Sequence, residues 1–265
     1  MKDKYLIIIS IIISITYVYF IESSKKDKLK RIIESNSKGL NDKNASVLKI
    51  LESYEYECGK KYKSIKHDKG QLFEYNIFEI IYRLGGKVLT DLYVRKENNQ
   101  DTQIDIVFIH NTGIYVFEVK NLSAKLIKGD DEDERWILYY RENVKNIYSP
   151  LKQNINHVKA IKNFLSDKYD FIQNYYSIVV MNTQKNKIKV NYEIEADGFR
   201  QMVLSKAQLK EHMENFTKEI ECELVLKDKL LSDEEILEVY NYLHDECSNV
   251  DEDRKNRHLK AVKSI

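Results

Sequence analysis

Asp105, Glu118 and Lys120 stand in two apolar, β-branched runs, Gln103 to Ile109 and Ile114 to Lys120, separated by His110-Asn111-Thr112-Gly113. Such runs around a polar break read as two strands and a tight turn. A turn centred between Asn111 and Thr112 opposes Ile109 to Ile114, Val107 to Val116, Asp105 to Glu118 and Gln103 to Lys120. Alternation then places these residues on one sheet face, and Ile104, Ile106, Phe108, Tyr115, Phe117 and Val119 on the other. One face is apolar throughout. The other turns from apolar near the turn to Asp, Glu, Lys and Gln at the far end. Opposed carboxylates have Cβ atoms about 5 Å apart and repel. A divalent cation would compensate them, and carboxylate oxygens are what Mg²⁺ prefers. Lys120 points into the same space, where it can stabilise developing negative charge or orient a water. The competing reading is a solvated strand end, with Glu118 and Lys120 a surface pair worth little. The geometry also requires the even loop, because a one-residue slip sends the two acids to opposite faces.

Glu74 is a further acid with an unusual position. It precedes Ile77, Phe78 and Ile81 by three, four and seven residues, which places it within the apolar stripe of a helix. A carboxylate there needs a partner or a metal. Near a helix start its charge is also favourable in its own right.

The elements that must position these residues are legible from pattern. Asp68 caps a helix that runs to Leu84 and stops at Gly85-Gly86. Strands are expected over Lys87 to Val94, Gln103 to Ile109, Ile114 to Lys120, Trp136 to Arg141, Tyr176 to Met181 and Gln201 to Leu204. Pro150 precedes a helix from Leu151 to Ser166, Ser205 opens a helical stretch to Phe216, and Ser232-Asp233-Glu234-Glu235 is a capping box for a helix to Asp245. The order predicts a mixed α/β domain with a central sheet.

Composition narrows the function classes. The net charge of +1 excludes a global basic coat for nucleic acid, so any such contact must be a local patch. Cys58, Cys222 and Cys247 are odd in number and form no CxxC pair, which argues against a disulfide framework or a zinc site. Residues 5–21 are apolar and uncharged, at the short end of the range for a spanning helix. No small-residue cleavage site follows, so an uncleaved anchor is favoured over a signal peptide. Lys25, Lys26, Lys28, Lys30 and Arg31 follow the span, which predicts an outside N-terminus and a cytoplasmic remainder.

The flanking segments carry a resemblance. Lys69-Gly70-Gln71-Leu72-Phe73-Glu74, Thr102-Gln103-Ile104-Asp105, Gly113 to Asn121, Trp136, and Tyr148 to Asn154 with His157 occur in the order of the nuclease-related domain (NERD) family. That family is part of the PD-(D/E)xK nuclease superfamily, whose D…ExK core Asp105, Glu118 and Lys120 resemble. The resemblance implies a restriction-endonuclease-like fold, a central mixed β-sheet flanked by helices. It implies divalent-metal-dependent cleavage of DNA, with Mg²⁺ or Mn²⁺ as cofactor. Asp105, Glu118 and Glu74 would be the metal ligands, with Glu74 an accessory acid. Lys120 would assist the attacking water, and Gln153 would be a helix-borne site residue. Phe73, Ile106 and Ser149 depart from the family pattern without removing an implied ligand. The expected organisation is an anchor over 1–23, a juxtamembrane linker with some helix over 24–66, the nuclease core over 67–182, and an α/β extension over 183–265 completing or packing on the core. The rival functions are a catalytically inactive nucleic-acid- or protein-binding module of the same fold and a purely structural membrane-associated protein.

Overall fold

The computed structural model describes residues 46–96, 100–225, 229–248, 250 and 254–255. The expected anchor over residues 5–21 lies outside the described residues. Among the described residues, no helix is long and apolar enough to cross a membrane. The chain divides into two units, Met1–Leu51 and Glu52–Ile265. Of the first, residues 46–51 are described and are helical.

The second unit opens with α1 (residues 52–58) and α2 (Tyr62–Ile65). Helix α3 (Lys69–Tyr82) follows, and the Asp68 side chain accepts from the Gly70 and Gln71 backbone N–H groups, as its position before the periodic run predicts. Its apolar stripe buries Phe73, Ile77, Phe78 and Ile81. Next come β1 (Lys87–Arg95), β2 (Asp101–His110) and β3 (Gly113–Lys120). Strands β4 (Leu126–Asp130), β5 (Arg135–Tyr139) and β6 (Val144–Tyr148) lead to α4 (Pro150–Ser166), capped by Ser149. The chain ends with β7 (Tyr175–Met181), β8 (Ile188–Asn191), β9 (Glu195–Ala196), β10 (Phe199–Ser205), α5 (Lys206–Val225) and α6 (Asp233–Cys247). The capping box expected at Ser232 and Glu235 is present.

The central sheet is mixed, in the order β1-β2-β3-β7-β10-β9, with β3, β7 and β10 mutually parallel. A parallel β3–β7 pair needs a crossover, and α4 supplies it. Its amide side chain Asn154 is the bolt: Nδ2 donates to Val116 O and Ser177 Oγ, both at 2.9 Å. One apolar core lies between the sheet and α4 and α6.

A second sheet, ordered β6-β5-β4-β8, was not expected. The single strand predicted over Trp136 to Arg141 is β5, which ends at Tyr139. Its inner face buries Ile127, Trp136 and Leu138, while Ile137, Val144 and Tyr148 stay exposed. Short strands with a wet face and a non-local parallel partner leave little periodic signal. The helix predicted to stop at Phe216 continues to Val225, since no Gly or Pro interrupts it.

The hairpin register agrees with the even loop: Ile109 opposes Ile114 and Val107 opposes Val116. The turn closes on Gly113, at φ 133, where an added Cβ would meet Asn174 O at 2.5 Å. Gly85, at φ 89, faces open space instead. Gly113→Ala should therefore cost about 2 kcal/mol against about 1 for Gly85→Ala, measured by urea denaturation. Equal costs would show that the backbone approach at Asn174 is unimportant.

Candidate functional site

The β2–β3 ladder ends at Ile106 opposite Phe117, one step short of Asp105 and Glu118. On the β1 side, Thr90 opposes Ile106 and Leu92 opposes Ile104, so Asp91 lies across from Asp105. The core against α4 and α6 contains Leu89 with Leu92, and Ile104 with Val107. Residues three apart share a face only if the two-residue alternation slips by one. Asp91 lies in the β1 slip, with φ 58, a left-handed conformation unusual for a non-glycine residue. Asp105 lies in the β2 slip.

This corrects the expectation that Gln103 and Asp105 share the strict face of Val107. The cause is local: β2 turns away from β3, and Asp105 enters the gap. Its Oδ2 accepts the Val119 backbone N–H at 2.7 Å. Glu118 nevertheless remains close, and after burial it is the largest influence raising the Asp105 carboxyl well above the ordinary range.

Glu118 is buried at 1% exposure. Its Oε1 holds the Lys120 ammonium, and its Oε2 lies 3.3 Å from His157 Nδ1 on α4. Neither of those two last atoms makes a well-directed hydrogen bond. Burial works to raise the Glu118 carboxyl, but His157 and Lys120 outweigh it and hold the group below its usual value. Lys120 Nζ also donates to Gln153 Oε1 at 3.1 Å. Burial opposes its charge, yet Glu118 and Asp105 keep the ammonium above the ordinary lysine value. One turn of α4 thus offers Gln153, Asn154 and His157 to Lys120, the sheet and Glu118 respectively. Just past β3, Asn121 Nδ2 donates to Lys69 O at the start of α3, and Asn121 Oδ1 accepts from Asn182 Nδ2 at 2.7 Å. These contacts fix the end of β3 against the helix that carries Glu74.

Glu74 is part-buried on α3. Burial raises its carboxyl to about 7; Lys60 pulls it down, while Asp91, Asp68 and Glu118 push it up. All five residues expected at the site, Glu74, Asp105, Glu118, Lys120 and Gln153, therefore interact within one neighbourhood. Sequence reasoning missed Asp91 and Lys60, and gave His157 no role. Lys60 Nζ pairs with Asp91 Oδ2 at 2.7 Å, and Gln103 Nε2 donates to the other Asp91 oxygen. An acid in an otherwise apolar β1 run was the available signal for Asp91; nothing local marks Lys60.

As they stand among the described residues, no three His, Cys, Asp or Glu side chains converge to hold a metal ion. The donor set still suits a hard divalent cation: clustered carboxylate oxygens, with Glu118 Oε2 lacking a directed partner.

Comparison with known proteins agrees with the residue pattern. Residues 69–182 match the family model of the nuclease-related domain, NERD. An uncharacterized protein of Bacillus anthracis is 24% identical over 197 residues, covering 73% of this chain and 84% of that protein. The crystal structure of a protein of unknown function, AF1548, overlaps 73% of this chain and 97% of its own, at 13% identity and a TM-score of 0.27, too loose to add to the fold argument.

The raised carboxyl of Glu74 has a stability consequence. Its folded pKa lies above the unfolded one, so ionisation costs the folded state free energy as pH rises from about 4.5 through about 7. Glu74→Gln should stabilise the fold at pH 8 by on the order of 2 kcal/mol, with the gain vanishing below pH 4.5. Thermal melts at the two pH values measure it, and a gain independent of pH would contradict the assignment.

Proposed function

We propose that this chain is a divalent-metal-dependent nuclease that hydrolyses DNA phosphodiester bonds, with a restriction-endonuclease-like core tethered to the membrane by residues 5–21 and facing the cytoplasm. The observation that carries the reading is the meeting of Asp105, Glu118 and Lys120 at the fork between β2 and β3, within residues that match a nuclease-related domain. Asp105 and Glu118 are the residues that would hold Mg²⁺ or Mn²⁺, with Glu74 beside them. Bound there, the cation supplies a Lewis acid for the phosphate oxygens and a lowered pKa for its water.

The chain's own side chains set up the rest. Lys120 keeps its positive charge against burial because two carboxylates face it. That charge favours a phosphate whose negative charge grows toward the transition state. Gln153 directs the ammonium through Oε1, so Lys120 need not collapse wholly onto Glu118. His157 Nδ1 lies 3.3 Å from the far oxygen of Glu118, close enough to favour its charge without a directed hydrogen bond. Like the ordinary net charge, these contacts imply that the strand is gripped locally rather than by a charged surface.

A catalytically inactive binding module of the same fold is the second reading. It is favoured by the seating of Lys120 on Glu118 and by the lack of a ready-made three-ligand cluster among the described residues. Cleavage of plasmid and linear DNA with and without Mg²⁺ separates the two. Asp105→Asn and Lys120→Ala should each lower the rate at least ~100-fold with the circular dichroism spectrum preserved. Unaltered rates in pure variants would remove these residues from the chemistry.

A further inference from the structure

The acids at the fork form a row with a different ammonium group at each end. Glu118 faces Lys120, and Asp91 faces Lys60. Asp105 lies between them, across from Asp91 in the β1–β2 register and beside Glu118. Lys60 precedes the residues that match the nuclease-related domain, so this second ammonium comes from outside the matched segment.

We infer that Lys60 is a built-in cation of the site, occupying the place that a second divalent ion would need, so that the site takes one metal ion and not two. The inference rests on the metal-dependent reading above.

Three observations carry it. First, both Asp91 oxygens are taken, one by Lys60 and one by Gln103, so Asp91 has no oxygen left over for an ion. The Asp91 side chain is only 12% exposed, so water competes weakly for it. Second, the position is built on both sides. Asp91 holds a left-handed backbone that persists in a non-glycine residue only when its surroundings impose it. Lys60 is presented by a braced loop: Gly59 turns at φ 66, the Lys60 backbone N–H donates to Cys58 Sγ at 3.4 Å, and Tyr62 N–H donates to Glu55 Oε1 at 2.8 Å. Third, the row already holds two ammonium groups, Lys60 at Asp91 and Lys120 at Glu118, so a second divalent ion would enter against both of them and against the first ion.

Lys60 is also the attractive charge at Glu74, so it serves both acids on the α3 side of the row. It is a positioning residue: it acts through the acids and not on a substrate.

The test is metal stoichiometry, independent of cleavage. The full chain in detergent micelles is titrated with Mn²⁺, and the free ion is followed by electron paramagnetic resonance. Site-bound equivalents are those that Asp105→Asn removes. The wild type should bind one, Lys60→Met two, and Lys60→Arg, which keeps the charge, one. Lys60→Met keeps the apolar stem but leaves Asp91 without its ammonium, so a circular dichroism spectrum and a thermal melt of each variant accompany the titration, and Lys60→Arg restores the charge. Two equivalents in the wild type, or one in both the wild type and Lys60→Met, would overturn the role of Lys60 while leaving the metal-dependent reading standing. No Asp105-dependent equivalent in any protein would overturn both.

Discussion

Four carboxylates crowded at one fork of a sheet are an electrostatic burden that the rest of this fold is arranged to bear. Burial alone pushes Asp105 and Glu74 toward their neutral forms, and each acid makes its neighbours harder to ionise. Two lysines from opposite ends of the row offset that cost, Lys120 at Glu118 and Lys60 at Asp91. Neither is a surface pair of the weak kind, because the carboxylate in each is largely removed from water. Such a cluster is stable only while its partners stay in place, which makes it a demanding feature for a scaffold to hold.

The scaffold meets that demand with hydrogen bonds from neighbouring elements. Helix α4 is the crossover between two parallel strands and also the source of Gln153, Asn154 and His157. Asn154 locks the helix to β3 and β7, its Nδ2 donating to the Val116 and Ile178 carbonyls and to Ser177 Oγ. Once it is locked, its neighbours at the preceding and third following positions are carried to Lys120 and Glu118. The opposite side is set by Asn121, which ties the end of β3 to the first turn of α3. The slip in β1 and β2 does the last part of the work. It opens the ladder at Ile106 and turns Asp105 into the gap, where a backbone N–H of β3 fixes its carboxylate.

The match to the nuclease-related domain covers residues 69–182, yet the described fold does not end there. Strand β10 pairs in parallel with β7, and α6 packs its buried face into the core beneath β1 and β2. On the other side of the match, Lys60 enters the acid row from a loop that precedes it. The flanks of the domain thus finish both its sheet and its charge balance.

The hairpin was legible because its information is local. Alternating apolar residues and an even turn fix the pairing of Ile109 with Ile114 and Val107 with Val116, and Asp68 and Ser232 announce their helices through caps within four residues of themselves. The helix carrying Glu74 and a central sheet followed from the same short-range patterns, hairpin spacing grouped Asp105, Glu118 and Lys120, and the family resemblance implied the mixed sheet and added Gln153 and Glu74 to the site. The second sheet escaped because its strands are short, half wet and paired with β8, far along the chain. The slip at Asp91 and Asp105 escaped because two strands distort together there, and no residue type in either run demands it. Lys60 escaped for the same reason: a lysine in a polar, basic stretch looks like any solvated side chain until the fold brings an aspartate from β1 against it. Sequence by itself determined which residues could meet around a cation. Only the tertiary structure decided how they meet, because long-range packing selects one backbone path at the fork out of those that the local pattern permits.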